Sequence, residues 1–150
     1  MSEMSMDQLR ERIEQERSQL YLVVMQPTES YDLTSELGRE VMRRHLQWQF
    51  SMEDQGILLG AGPFNQLGQA QTQEQFRRQV ASHGDMLNAS GMYIIAAESA
   101  EAAEAIARTE PFEAMGWRTH RLVVWNLNEG VAWRTARQMV EAVRQRAGLR

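Results

Sequence analysis

Residues 20–25, with the sequence LYLVVM, form a short and continuous apolar run, and Pro27 ends it. A run of this length, bounded by a turn residue, is typical of a β-strand that is buried on both faces. Three later segments have a similar character: 57–62 (ILLGAG), 91–97 (GMYIIAA) and 121–127 (RLVVWNL). The sequence therefore predicts four short, mostly apolar strands.

Helical patterns separate these strands in two places. Between the first two strands, a mostly apolar series recurs at steps of three and four residues, which is the spacing of one helix face. The series consists of Leu37, Val41, His45, Trp48 and Met52. It predicts a helix over residues 35–54. Ser99 is a suitable N-cap for a second helix, because its hydroxyl can accept a backbone N–H of the first turn.

The resulting order is β-α-β-β-α-β, the split βαβ arrangement of ferredoxin-like folds. The predicted class is therefore α+β, with an antiparallel sheet in a domain over residues 20–130 that carries an insertion at 64–90. Two extra helices flank this domain. One is an N-terminal arm at residues 1–19, and the other lies within residues 131–150 and has an apolar seam at helical spacing.

One face of the predicted sheet has no helix to cover it. The strands are apolar nearly throughout, so that face has to be buried against something. A second subunit that stacks its own sheet on the first would bury it. The sequence therefore predicts a homodimer joined sheet to sheet.

The composition excludes several kinds of chemistry. The chain has no Cys, which rules out disulfides, thiol catalysis and Cys-ligated metal centres. All 16 basic residues are Arg, so no lysine amine is present to form a Schiff base. The net charge is −4 and no basic cluster stands out, which disfavours nucleic-acid binding.

The first twenty residues are polar and show no apolar core of a signal peptide. No apolar run approaches the roughly 20 residues that a membrane span requires. We expect a soluble, cytoplasmic protein that does not associate with membranes.

His45 is the most informative candidate for chemistry, because it lies on the apolar stripe of the first long helix. It is either a core histidine with its hydrogen bonds satisfied or an acid or base in a pocket, since His titrates near neutral pH. Glu110, just past the second helix, is either a solvated carboxylate or the partner that orients His45. Glu98, at the end of the third strand, is a weaker rival for that partnership.

Other polar residues give weaker signals. His83 and Asp85 lie in the insertion and match no standard metal-ligand spacing. His120 begins the last strand between Arg118 and Arg121, and we expect it to be exposed. We expect no metal and no cofactor.

The order of several short motifs resembles that of the YCII-related family. The segment from Gly56 to Phe64, GILLGAGPF, follows the helix histidine as it does in that family. Residues 91–103 are similar to the next strand and helix. Glu110-Pro111-Phe112 resembles the Asp-Pro-Phe of the family, and residues 118–130 look like the last strand of one subgroup. The resemblance covers roughly residues 20–130.

The resemblance implies a ferredoxin-like fold, a dimeric α/β barrel, and a pocket between helix and sheet that contains a His–Asp pair. His45 would be the family histidine, and Glu110 would stand where the family has Asp. Relatives include muconolactone isomerase and a dehydrochlorinase that acts on a chlorinated hydroxyhydroquinone. The residues expected to contact a substrate are Arg44, Trp48, Gly62, Pro63 and Phe64.

Two functions remain open at this level. One is an acid–base enzyme of the isomerase or lyase (dehydrohalogenase) type, in which His45 and Glu110 act on a small aromatic or cyclic metabolite. The other is a non-catalytic module for small-ligand binding or dimerisation. An arginine of the first helix, such as Arg44, could hold a substrate carboxylate, although a solvated helix face is the simpler interpretation.

Overall fold

The computed structural model describes residues 2–64, 74 and 89–149, and within them the chain forms a four-stranded sheet with helices. In chain order, the elements are α1 Met6–Glu16, β1 Ser18–Pro27, α2 Glu36–Asp54, β2 Leu58–Pro63, β3 Gly91–Ile95, α3 Ala100–Ala107, α4 Pro111–Ala114, β4 Arg118–Leu127 and α5 Trp133–Arg146. Nearly all of the predicted insertion, including His83 and Asp85, lies outside the described residues.

The sheet has the strand order β2-β3-β1-β4, and every neighbouring pair is antiparallel. This order is the one that the β-α-β-β-α-β sequence of elements gives when each helix crosses over one intervening strand. The predicted α+β class and antiparallel sheet are therefore confirmed, and the topology is compatible with a ferredoxin-like fold.

Local sequence signals position the helix that carries His45. The Ser35 side chain accepts the backbone N–H of Gly38 at 2.9 Å and begins α2. Gly38 is required at that point, because an added Cβ would collide with the carbonyl oxygen of Asp32. The start of α2 is thus held closely against the loop that precedes it. The Ser35 cap agrees with the predicted start of this helix at residue 35.

The helices α2, α3 and α4 cover one face of the sheet. Directly opposite residues of antiparallel strands share a face, and Val23 pairs with Tyr93 on one side and with Leu122 on the other. This row packs against Ala103 and Ala107 of α3 and against Trp48 of α2. A second buried cluster, which contains Val41 of α2 and Phe112 of α4, continues the core toward one end.

The last helix corrects the expectation of a bare second face. Leu20 of β1 and Ala136 of α5 are both fully buried in one cluster, against which Ile94, Trp133 and Val143 pack. The apolar seam of α5 therefore lies on the side of the sheet opposite α2 and α3. The sequence predicted the seam but not its partner, because a seam does not specify the surface it packs on.

Part of the second face stays open. Val123 pairs with Leu22 and Trp125 pairs with Leu20 across the β1–β4 ladder, so both lie on this face. Val123 is 44% exposed and Trp125 is 37% exposed.

At the other end of the chain, Met6 of α1 is 63% exposed, so the N-terminal arm is only loosely covered by the rest of the chain. Among the described helices, none is long and apolar enough to cross a membrane.

Candidate functional site

A buried contact joins His45 of α2 to Glu110, the residue that precedes α4. The Nδ1 atom of His45 lies 2.5 Å from Oε1 of Glu110. The His45 side chain is 8% exposed and that of Glu110 is 1% exposed. The two candidates that the sequence placed 65 positions apart therefore meet in the protein interior.

The backbone around Glu110 explains why its carboxylate is held there. Glu110 is the N-cap of α4, and its Oε2 accepts the backbone N–H of Glu113 at 3.1 Å. Pro111 follows at the first helical position, where the missing N–H is not needed. Because Oε2 accepts the backbone N–H of Glu113, Oε1 is the oxygen that faces His45. Glu110 is therefore not a solvated carboxylate, and Glu98 is exposed and does not take its place.

The contact determines which nitrogen of His45 can react. An N–H at Nδ1 that donates to the carboxylate leaves the lone pair of a neutral ring on Nε2. Among the described residues, Nε2 has no hydrogen-bond partner. The Phe112 ring lies 5.2 Å from the imidazole, centroid to centroid. The ring is therefore oriented by Glu110 and Phe112, and it keeps a small exposed fraction.

Trp48, one turn after His45 on α2, lies beside the same turn of the chain. Its Nε1 donates to Oγ1 of Thr109 at 2.9 Å, and Thr109 directly precedes Glu110. Its ring meets the ring of Tyr93 on β3 edge to face, with centroids 5.3 Å apart. Two side chains of helix α2, His45 and Trp48, thus contact the turn between α3 and α4.

Arg118, at the start of β4, is a buried cation in this region that the sequence analysis did not assign to the site. Its guanidinium stacks over the Phe112 ring at 4.2 Å and donates to the Tyr31 hydroxyl at 2.8 Å. Among the described residues, its Nε has no partner. The pKa of Tyr31 is raised, chiefly by burial, although Arg118 lowers it, so Tyr31 stays neutral beside this cation.

A second histidine–carboxylate cluster lies close by, and the prediction that His120 is exposed is wrong. His120 Nδ1 lies 2.5 Å from Glu113 and its Nε2 lies 2.7 Å from Glu104, with 8% of its side chain exposed. Both contacts can be hydrogen bonds only if the ring is doubly protonated and donates from each nitrogen, or if one carboxyl carries a proton and donates it to a ring nitrogen. The cluster brings together α3, α4 and β4, a tertiary contact for which the sequence has no local signal.

Arg44, one of the predicted substrate contacts, lies on the exposed side of α2. Arg44 and Arg43 both bond Glu40 on the exposed side of α2, and the hydrogen bonds from Arg43 lower the pKa of Glu40 to about 2. The structure therefore does not bring Arg44 to the His45–Glu110 pair.

Gly62 and Pro63 end β2, where they pair with Met92 and Gly91 of β3, and Phe64 follows them. They come directly after Ala61, the residue that pairs with Tyr93. Within the described part of the chain, no group of three or more His, Asp or Glu side chains has the arrangement of a metal site.

A comparison with protein-family models matches residues 19–126 to the YCII-related domain. The matched segment contains β1 to β4, His45 and Glu110. A comparison with curated proteins gives no match.

The pKa of Glu113 gives a pH-dependent test of the second cluster. Burial, the largest influence, raises this pKa above 4.5, and the bond to His120 offsets only part of the rise. A carboxyl whose pKa is raised by folding contributes stability below its unfolded pKa and loses it as the pH rises through the folded pKa. Glu113→Gln should therefore gain stability relative to the natural protein as the pH rises above the ordinary glutamate pKa of about 4.3.

Urea unfolding of both proteins at several pH values measures this difference. The expected change is below about 1 kcal/mol, because Glu113 is partly exposed. A variant that instead loses relative stability as the pH rises would show that the ionised carboxylate is net stabilising, through His120.

Proposed function

The chain belongs to the YCII-related family, and we propose that His45 and Glu110 are its acid–base pair, acting on a small cyclic or aromatic metabolite. The reaction is an isomerisation or an elimination, such as loss of a halide. The observation that carries the proposal is the 2.5 Å contact between a buried imidazole and a carboxylate that is itself fixed by a backbone N–H.

The roles of the two residues follow from their contacts. Glu110 holds the N–H of the ring on Nδ1 and stabilises the imidazolium that forms when Nε2 takes a proton. His45 then returns the proton to another atom of the substrate, which gives an isomer, or the substrate expels a leaving group with its electron pair. Histidine suits this work because the imidazole is the side chain that most readily takes up and releases a proton under physiological conditions.

A glutamate at position 110 is a departure from the aspartate of the family pattern. Glu is longer by one methylene, and in this chain the extra length is accommodated, since one carboxylate reaches both His45 and the amide of Glu113. The departure therefore leaves the contact between the two functional groups in place.

Around the pair, Trp48, Gly62, Pro63 and Phe64 remain our proposed substrate contacts. Trp48 is only partly buried and lies between Thr109 and Tyr93. Ala61 near the end of β2 pairs with Tyr93, so the end of β2 lies beside the residue that contacts Trp48. Arg44 is a weaker candidate than these four, because Glu40 already holds its guanidinium on the exposed side of α2.

The alternative function is a non-catalytic module for ligand binding or dimerisation. The observation in its favour is the depth of burial, since 1% of the Glu110 side chain and 8% of the His45 side chain are exposed. A buried ion pair can have a purely structural role, in which it fixes the packing of the elements that it joins. The two functions differ in whether a change at His45 affects reactivity or only stability.

A proton-transfer assay tests the proposal. The probes are α-angelica lactone, whose conversion to the conjugated lactone moves one proton between two carbons, and a chlorinated hydroxyhydroquinone, which can release chloride. We expect the protein to accelerate one of them and His45→Gln to lower the rate by about 10²-fold or more, as for loss of a general base. Proton NMR and chloride release are the measurements.

The matched control is Glu98→Gln, which neutralises an exposed carboxylate away from the pair and should leave the rate unchanged. Melting temperatures of all variants are measured in parallel. A protein that accelerates neither probe, or a His45→Gln variant that unfolds earlier yet reacts as fast, would contradict the enzymatic proposal and favour the structural module.

We also propose that the chain is a homodimer, joined through the open part of the second sheet face. Val123 and Trp125 are exposed on β4, which pairs with the strand of the fully buried Leu20. They therefore lie beside the area that α5 covers. Burying exposed apolar side chains against a second copy is favourable by the hydrophobic effect. Because α5 occupies part of this face, the interface is smaller than the complete sheet-to-sheet contact expected from sequence.

Light scattering at micromolar concentration should give about twice the chain mass of 17.3 kDa. Val123→Glu should produce monomers, because a carboxylate would be buried at the interface without a partner. Val131→Glu, which alters a fully exposed valine in a turn, is the control and should stay dimeric. A natural protein that is monomeric in this experiment would exclude the proposed interface.

A further inference from the structure

The Tyr93 hydroxyl is a buried polar group that the proposed function has not yet used. Tyr93 is 1% exposed, and its hydroxyl has no hydrogen-bond partner among the described residues. Buried side-chain polar atoms are nearly always hydrogen-bonded, so an exception in a folded protein calls for a functional account.

Contacts of Trp48 connect Tyr93 to the turn that carries Glu110 and to the helix that carries His45. Tyr93 lies on the sheet face that α2 covers, and its ring meets the Trp48 ring edge to face. Trp48 follows His45 by one helical turn, so the two side chains lie on the same face of α2. Trp48 also bonds Thr109, the neighbour of Glu110. Tyr93 is therefore linked to both members of the pair through Trp48.

The charges around the phenol keep it protonated. Burial raises the pKa of Tyr93, and the carboxylates of Glu110, Glu113 and Glu104 raise it further, in that order, whereas Arg118 lowers it. Of these carboxylates, Glu110 contributes most to the rise in the pKa of Tyr93. The group is thus a neutral O–H that can donate a hydrogen bond.

We propose that Tyr93 donates this hydrogen bond to a carbonyl or phenolic oxygen of the molecule on which His45 acts. The proposal rests on the proposed function and narrows its substrate class to compounds with an acidic C–H next to a carbonyl, for example ring lactones, ring ketones and the keto tautomers of substituted phenols. It makes Tyr93 a third functional residue of the site, placed on the sheet opposite the helix that carries His45.

The chemistry balances without a further reactant. His45 Nε2 takes the proton, the electrons of the broken C–H bond form a C=C bond, and the carbonyl oxygen gains the negative charge as an enolate. Tyr93 stabilises that charge by its O–H, as an oxyanion donor does. The imidazolium then protonates another carbon of the conjugated system, or a halide leaves with its electron pair.

Titration with 4-nitrophenol tests the inference without requiring turnover, because its phenolic oxygen imitates the enolate and its absorbance reports binding. We expect the natural protein to bind it and Tyr93→Phe to raise the Kd about tenfold or more, which corresponds to the loss of one hydrogen bond to a charged group. His45→Gln should also weaken binding, since the proposed function places His45 in the same pocket.

Tyr21→Phe is the matched control. It removes another hydroxyl from the same face of the sheet, where the pKa of Tyr21 is raised by burial alone. This variant should bind 4-nitrophenol as the natural protein does. The melting temperature of Tyr93→Phe should be unchanged or higher, because the change removes an unpaired buried hydroxyl.

Each outcome distinguishes this inference from the function on which it rests. Equal binding by Tyr93→Phe and the natural protein, with weaker binding by His45→Gln, would overturn the role of Tyr93 and leave the His45–Glu110 proposal standing. A Tyr93→Phe variant that melts earlier would show a structural role and overturn the inference. Binding unaffected by His45→Gln would contradict the proposed function, and no binding by the natural protein would overturn the substrate class.

Discussion

The contact between His45 and Glu110 is the constraint on which the helical side of the molecule depends. It ties α2 to the turn between α3 and α4, so it connects the two crossover segments of the split βαβ unit above the sheet. Removing one partner of a buried pair leaves the other polar group without compensation and costs about 3–5 kcal/mol in typical cases. The geometry of the pair is therefore maintained by the same interaction that would carry the chemistry.

Several titratable groups lie close to this pair, and their contacts connect them. Glu110 meets His45 on one oxygen and a backbone N–H on the other, Arg118 adds a buried positive charge over Phe112, and His120 lies between Glu113 and Glu104. Glu113 contributes its amide to the first pair and its carboxylate to the second cluster. The two histidine systems are thus connected through one residue of α4, although no proton can pass along a backbone amide bond.

Much of the architecture could be predicted from local signals. The strands followed from apolar runs, and the boundary of α2 followed from Ser35 and the helical spacing of Val41, His45 and Trp48. The pairing of His45 with Glu110 was one of two interpretations of Glu110, and the family resemblance favoured it. Spacing could not decide between the two, since 65 residues separate His45 from Glu110. Periodicity alone placed His45 on a buried stripe but could not distinguish a core residue from a site residue.

The features that were missed depend on tertiary contacts or on very short elements. Helix α4 has four residues, too few to show periodicity, yet it positions Glu110 and Glu113. The burial of His120 requires α3 and α4 to approach β4, and the coverage of the second face requires α5 to fold back on β1. Neither approach can be read from the residues of one element.

A double-mutant cycle on unfolding free energy tests the central claim most directly. The proteins are His45→Gln, Glu110→Gln, the double variant and the natural chain, all unfolded in urea at neutral pH. If the two side chains interact in the protein as described, the double variant should be more stable than the sum of the single losses allows, by about 1–3 kcal/mol. Losses that add without any coupling would contradict the account, because they would mean that His45 and Glu110 do not interact in the folded protein.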